Sequence, residues 1–307
     1  MILTNVKSKM LAVTGGSLAR LALIVLVMGA VAISFSPIFV RLSEAGPTAT
    51  AFWRLTLALP ALWLWMTFEP QPAAQLQHHS KAGYGWLIAA GICFAGDLAA
   101  FHWSIKLTAI ANSIFLANLA PVFVTLGAWL LFKQRVTYIF IVGMMVALVG
   151  AALLIGVSFR LSLMNLIGDG LGVATGMFYG GYFLCVKRLR TNSSTATIMF
   201  WSGVVAATVL MPFTLASGET LIPMSIWGWL VLIGLAWLSH TGGQGLIAYA
   251  LAHLPATFVS VTLLIQPVLS LFFAWLILKE AVGFWQVLGG MVVLTGIFMA
   301  RRGSQLA

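Results

Sequence analysis

Charged side chains are the scarcest class in this chain, 7% of 307 residues, with only six Asp or Glu among them. A water-soluble domain of this size is not built with so few, and no polar stretch is long enough to fold separately. Cysteine is nearly absent as well. Cys93 and Cys185 both fall inside apolar segments, which argues against a structural disulfide, and two cysteines without clustered histidines make no metal site. No Walker motif is present, so ATP does not drive the chain directly and no cofactor is expected. The formal net charge of +10 invites a nucleic-acid partner, but the basic residues are scattered over short loops without a recognition module. Membrane topology and contact with anionic lipid account for them, and no nucleic acid is expected.

Apolar length is what the chain has in abundance. Hydrophobic residues make up 61% of it, and the mean hydropathy is +1.05. Ten stretches of about 20 residues are long enough to cross the hydrocarbon core as helices. They lie near 20–41, 48–68, 84–104, 109–132, 136–157, 168–187, 194–215, 225–251, 255–278 and 283–300. The first is too long, and lacks an A-x-A-like site, to be a removable signal peptide. With the N-terminus in the cytoplasm, eleven Lys or Arg fall on the inner side and four (Arg41, Lys106, Arg160 and Lys279) on the outer, with Arg54 inside a helix. That bias predicts a multi-pass protein of the cell (inner) membrane with both termini cytoplasmic.

The chain also repeats itself. Residues 109–156 recur as 255–302, so that Pro121-Val122 matches Pro267-Val268 and Ala128-Trp129-Leu130 matches Ala274-Trp275-Leu276. Gly143 and Gly150 fall on Gly289 and Gly296, and Thr48-Ala49-Thr50 reappears as Thr195-Ala196-Thr197. Each copy, 20–157 and 168–302, carries five apolar segments. Five is odd, so the second copy sits upside down relative to the first. The expected fold is an all-α membrane protein of ten transmembrane helices, two inverted five-helix repeats around a central cavity. Secondary transporters are built this way, with the substrate at mid-membrane between the halves. Ten helices suffice to enclose a cavity, so a single chain can work as a monomer, although the sequence does not fix the oligomeric state; a small-molecule substrate and the lipid bilayer are the expected partners.

The Pro-Val-x5-Ala-Trp-Leu stretches, Pro121 to Leu130 and Pro267 to Leu276, resemble the EamA-type repeats of the drug/metabolite transporter superfamily. Lys279-Glu280 followed by Gly289, Gly290 and Gly296 resembles the end of that repeat, from which the first copy departs with Gln134 in place of Glu280. Phe52-Trp53-Arg54-Leu55 is similar to an Arg-containing motif of the second helix. The likeness covers nearly the whole chain. It implies a ten-helix secondary transporter, often an exporter of amino acids or related metabolites, while members are also associated with nucleotide sugars and drugs. Small multidrug members use a carboxylate in their first helix. Residues 21–40 contain none, so proton-coupled cation export of that design is not expected.

Ionisable groups inside a bilayer are costly and usually functional. Asp97 is the one carboxylate well inside a predicted span, and the repeat alignment sets it opposite His240. Residues related by an in-plane two-fold axis lie equally far from it, so both are expected to border the cavity near its middle. They can bind the two ends of an amino acid, carry a coupling proton, or form a structural pair. Helical spacing puts Phe101 on the face of Asp97, and Trp237 and Gln244 on the face of His240. Trp237 is expected to wall the cavity, whereas His102 and Arg54 read as interfacial, Arg54 snorkelling to the outer surface. After His240 the second copy carries three extra residues, which Thr241-Gly242-Gly243 supplies; adjacent glycines suit either a helix break or tight packing. Asn118 and Gln266 offer amides to substrate or to neighbouring helices. Beside them, Pro121 and Pro267 are expected to bend their helices as matched hinges. Gly172, Gly176 and Gly180 form a packing seam alongside Tyr179, the last transport candidate.

The expected function is secondary transport, by alternating access, of small metabolites, neutral or aromatic and apolar amino acids first among them, as an exporter. Drugs, nucleobases or other metabolites on the same fold are the alternative. An anionic nucleotide sugar would require several cations facing the cavity. A channel has no need of paired hinges. An intramembrane protease needs paired aspartates or a serine–histidine site, which the chain does not offer, so no enzyme activity is expected.

Overall fold

In the computed structural model, which describes residues 2–69, 81–156, 162–279 and 282–305, the chain forms ten helical rods, and no strand occurs among the described residues. The first half contains α1 (Ile2–Ser34, resuming as Ser36–Leu42), α2 (Pro47–Thr56 and Ala58–Phe68), α3 (Lys81–Leu107), α4 (Ile110–Ala117 and Ala120–Phe132) and α5 (Tyr138–Ile155). The second half contains α6 (Leu163–Leu189), α7 (Thr195–Ala216), α8 (Ile226–Gly234, Leu235–Gln244 and Gly245–His253), α9 (Ala256–Thr262 and Ile265–Leu278) and α10 (Phe284–Gln305). Nine of these are long and apolar enough to cross a membrane among the described residues. The tenth rod, α6, is long enough at 27 residues, but its glycines, Asn165, Asp169 and the terminal Lys187 and Arg188 dilute its hydropathy. This is a multi-pass membrane protein. Glu280 and Arg160, which figured in the sequence patterns, lie outside the described residues.

Helix packing follows the repeat. α3 lies against α6, and α8 against α1; α3 touches α7, and α8 touches α2; α2 pairs with α7, and α5 with α10. Each pairing is carried into another, or into itself, when every helix is replaced by its partner five places on. The halves are also inverted. The apolar span of α1, from Leu18, begins beside the α8–α9 turn, where Arg20 and His253 share a groove with Arg301 at the end of α10. α6 begins beside the α3–α4 turn, where the Thr108 hydroxyl donates to Asp169 at 2.7 Å.

The repeated glycines explain the tightest contact. A Cβ on Gly143 or Gly150 would collide with the backbone of Ala300 or Val293, and one on Gly289 or Gly296 with that of Leu154 or Ala147. Small residues at such positions let the α5 and α10 backbones meet, which is how helices associate where lipid offers no hydrophobic drive. Gly172, Gly176 and Gly180 do the same for α6 against Leu116, Ala117 and Phe123 of α4.

The Thr-Ala-Thr repeat marks two helix starts, each clasped by a carboxylate of the other half. Glu219, just beyond α7, accepts from the Thr48 N–H at 2.8 Å and the Ala49 N–H at 3.4 Å. Glu69, just beyond α2, accepts from the Thr195 and Ala196 N–H at 3.1 and 2.7 Å. A carboxylate on the free N–H groups of a helix start satisfies orphan donors and opposes the helix dipole, worth about 1 kcal/mol each.

Candidate functional site

Four rods break where proline demands it. Pro121 and Pro267 carry no N–H for the carbonyls four residues back, and α4 and α9 both interrupt just ahead of them, at Asn118–Leu119 and Leu263–Leu264. α1 breaks at Phe35 before Pro37, and α2 at Leu57 before Pro60. Between the outer parts of α1, α4, α5 and α9 lies an open cavity of about 550 Å³, lined by Ser36, Ile114, Asn118, Gln266, Ser270 and Leu271, among others. It opens on the face away from the termini.

Behind the cavity floor sits the polar cluster. Arg54 does not snorkel outward, as its place along α2 suggested. It turns inward, donates to the Ser36 hydroxyl at 3.3 Å, and lies within electrostatic range of Asp97, Tyr179, Tyr182 and His240. Ser36 stands next to the break in α1. Asp97 retains accessible surface yet is surrounded by protein, as a residue on an internal space is. No contact ion pair joins it to Arg54 among the described residues.

His240 is 1% exposed, stacked on Phe94 with ring centroids 5.4 Å apart. Phe94 stacks in turn on Tyr182 at 4.8 Å. Gln244 is 3% exposed and donates to the Tyr179 hydroxyl at 3.2 Å. Gln266 also approaches that hydroxyl, but its N–H makes no well-formed bond. Five buried atoms here have no hydrogen-bond partner among the described residues: Arg54 Nε, both His240 ring nitrogens, Gln244 Oε1 and Gln266 Nε2. Buried polar groups are nearly always satisfied, so several orphans in one neighbourhood mark a place built for other polar chemistry.

Symmetry relates His240 to Asp97, but their helices differ. α3 is regular, whereas α8 is π-helical over Leu235–Gln244. Wider i→i+5 turns absorb the additional residues near Thr241-Gly242-Gly243 without breaking the rod, and such turns recur at functional sites. The Thr241 hydroxyl bonds the Ala236 carbonyl five residues back.

Other expectations are revised. Trp237 does not line the open cavity: it is 55% exposed, its indole donating to Leu57 O at the α2 break at 3.1 Å. The widened turn carries it away from the face of His240. His102 is not interfacial but buried, its Nδ1 2.6 Å from Leu98 O. Phe101 is half-buried against the His102 ring. Asn118 lines the cavity while donating to Ile114 O at 2.8 Å. Phe94 was missed, although it lies three residues before Asp97, one helical turn away.

The EamA-like transporter family matches the chain twice, over residues 20–156 and again over 166–302. This chain belongs to that family. Among its relatives, an uncharacterized transporter of Archaeoglobus fulgidus is 26% identical over 275 residues, 87% of this chain and 91% of the relative. A pseudopaline exporter of Pseudomonas aeruginosa, CntI, is 26% identical over 225 residues, 73% of this chain and 77% of the exporter. One solved crystal structure shares the fold with a TM-score of 0.78 at 15% identity, covering 94% of this chain and 98% of its own. The protein is an EamA-family transporter.

Proposed function

We propose that this transporter exports small zwitterionic metabolites by alternating access, with neutral amino acids bearing apolar or aromatic side chains as the leading class. The observation that carries the reading is the Asp97–Arg54 arrangement: a carboxyl and a guanidinium in one interior neighbourhood, with no contact ion pair between them among the described residues. An amino acid presents the complementary pair, its ammonium to Asp97 and its carboxylate to Arg54. Tyr179, Gln244, Gln266 and His240 supply hydrogen bonds, and Asn118 stands on the approach through the cavity. The Phe94 and Tyr182 rings, stacked on each other, give the neighbourhood an apolar backing suited to an apolar side chain. The cavity volume is ordinary for a small-molecule site. Pro121 and Pro267 serve as the hinges. The charge bias supports an outward orientation of the open face, and the exporter among the relatives supports outward transport. The ten helices act as a monomer.

Counterflow in proteoliposomes tests this, with single unlabelled amino acids inside and labelled phenylalanine, methionine or leucine outside. Saturable accumulation is expected in the wild type. Asp97→Asn and Arg54→Gln each remove a charge-assisted bond of about 1.5–3 kcal/mol, a loss of roughly 10- to 150-fold in transport. Absence of counterflow by folded, inserted protein refutes the substrate class. The name of the Pseudomonas relative favours a second reading, a pseudopaline-like cargo, which pseudopaline uptake without amino-acid counterflow would establish.

A further inference from the structure

On the face that carries both termini, away from the polar cluster, a groove of about 510 Å³ lies between the middle of α1, where its apolar span begins, the α8–α9 turn and the end of α10. Arg20, His253 and Arg301 reach it from these three elements, with the Ser304 hydroxyl beside them, and none of its lining residues is acidic. Neither arginine has a hydrogen bond or ion pair with a described residue. Leu23 and Phe258 wall it with apolar surface, continuous with rods that run on into the hydrocarbon. Cations at the rim and an apolar wall below match an amphiphile with an anionic head.

The repeat provides a control inside the molecule. Under the family match, Arg20 corresponds to Leu166, His253 to Leu107 and Arg301 to Ile155. The three equivalent positions on the opposite face therefore stand on the same helices and are all uncharged, and the nearest cation of the α3–α4 turn, Lys106, is paired with Glu219 at 2.8 Å. The fold does not impose these cations; they were added to one face. A general preference for basic loops at one face explains their sign but not their convergence on one apolar-walled groove.

We propose that this groove is a binding site for the phosphodiester head of an anionic phospholipid, held by Arg20 and Arg301, with acyl chain against Leu23 and Phe258. The test is native mass spectrometry of the full chain in detergent with equal phosphatidylglycerol and phosphatidylcholine. The wild type is expected to retain phosphatidylglycerol at least about fivefold in preference, as two phosphate-pairing guanidiniums allow. Arg20→Gln/Arg301→Gln should abolish the preference, whereas Arg188→Gln, an exposed cation of the same face, should leave it. Ser304→Asp, which adds a carboxylate to the groove and keeps both arginines, should weaken it and guards against misfolding of the double variant. Equal retention of the two lipids, or a preference surviving in the double variant, overturns the proposal. Displacement of phosphatidylglycerol by millimolar inorganic phosphate would assign the groove to a soluble anion and equally overturn the lipid assignment.

Discussion

The two faces of the molecule are made from equivalent helices, yet they are packed differently. On the face carrying the termini, the first part of α9 rests on the second part of α4, and the Gln134 amide reaches Thr257 at 3.4 Å. Lys187 at the end of α6 donates to Leu251 O and Leu254 O at 2.8 and 3.0 Å, tying α6 to the end of α8. A cation on the last carbonyls of a helix opposes its dipole. On the other face the corresponding parts of α4 and α9 stand apart across the cavity lined by Ile114 and Leu271. Identical topology with one end shut and the other open teaches that the halves hold different conformations of one design. Exchanging those conformations would shut the open face and open the shut one, which is alternating access in structural terms.

The strongest test pins the shut face. Gln134→Cys with Thr257→Cys, in a chain whose Cys93 and Cys185 are replaced by alanine, should be joined by a short thiol-bridging reagent. Counterflow is expected to fall to background and to return when the bridge is reduced. Full transport by the bridged protein would show that this face never opens.

Weakening the same face should act less completely. Lys187→Met removes charge-assisted bonds of about 1.5–3 kcal/mol, shifting the balance toward opening at the termini by roughly 10- to 150-fold. The readout is labelling of a Thr257→Cys thiol by a reagent supplied from the termini side, which should accelerate. Unchanged labelling would mean that Lys187 is not part of the seal.

The smallest effect concerns the clasp at the open face. Burial raises the Glu219 carboxyl, but the Lys106 ammonium at 2.8 Å and the Thr48 and Ala49 N–H groups outweigh it and leave it below the usual carboxylate range. A depressed folded value means a contribution present in full above the unfolded value and lost as pH falls through the folded one. The difference in Tm between wild type and Glu219→Gln should hold steady down to about pH 4 and shrink below it. A difference that grows in acid would reverse the assigned sign.

Much of this was readable from the residues. Apolar length located the rods, the duplication required the inversion, and Pro121 and Pro267 marked the matched breaks because a missing N–H acts locally. What depended on direction was harder. Arg54 looked interfacial from its depth in α2; its inward turn goes with a partner on another helix, Ser36, which spacing along α2 does not reveal. The surplus residues after His240 were countable, but counting does not reveal whether a helix kinks or widens, and the widening decided where Trp237 points. Phe94 carried no polar signal; only its stacking on both His240 and Tyr182 sets it apart.

The crossed clasps also have a consequence for how the protein is made. The start of α2 waits for Glu219, which follows Thr48 by 171 residues in the chain. At ordinary synthesis rates that is a delay of roughly 10–30 s. During it the first half is already in the bilayer with that helix start uncapped. Glu69 is made early and waits for Thr195. The first half is thus finished last, by a residue that the ribosome adds only after α7 is complete.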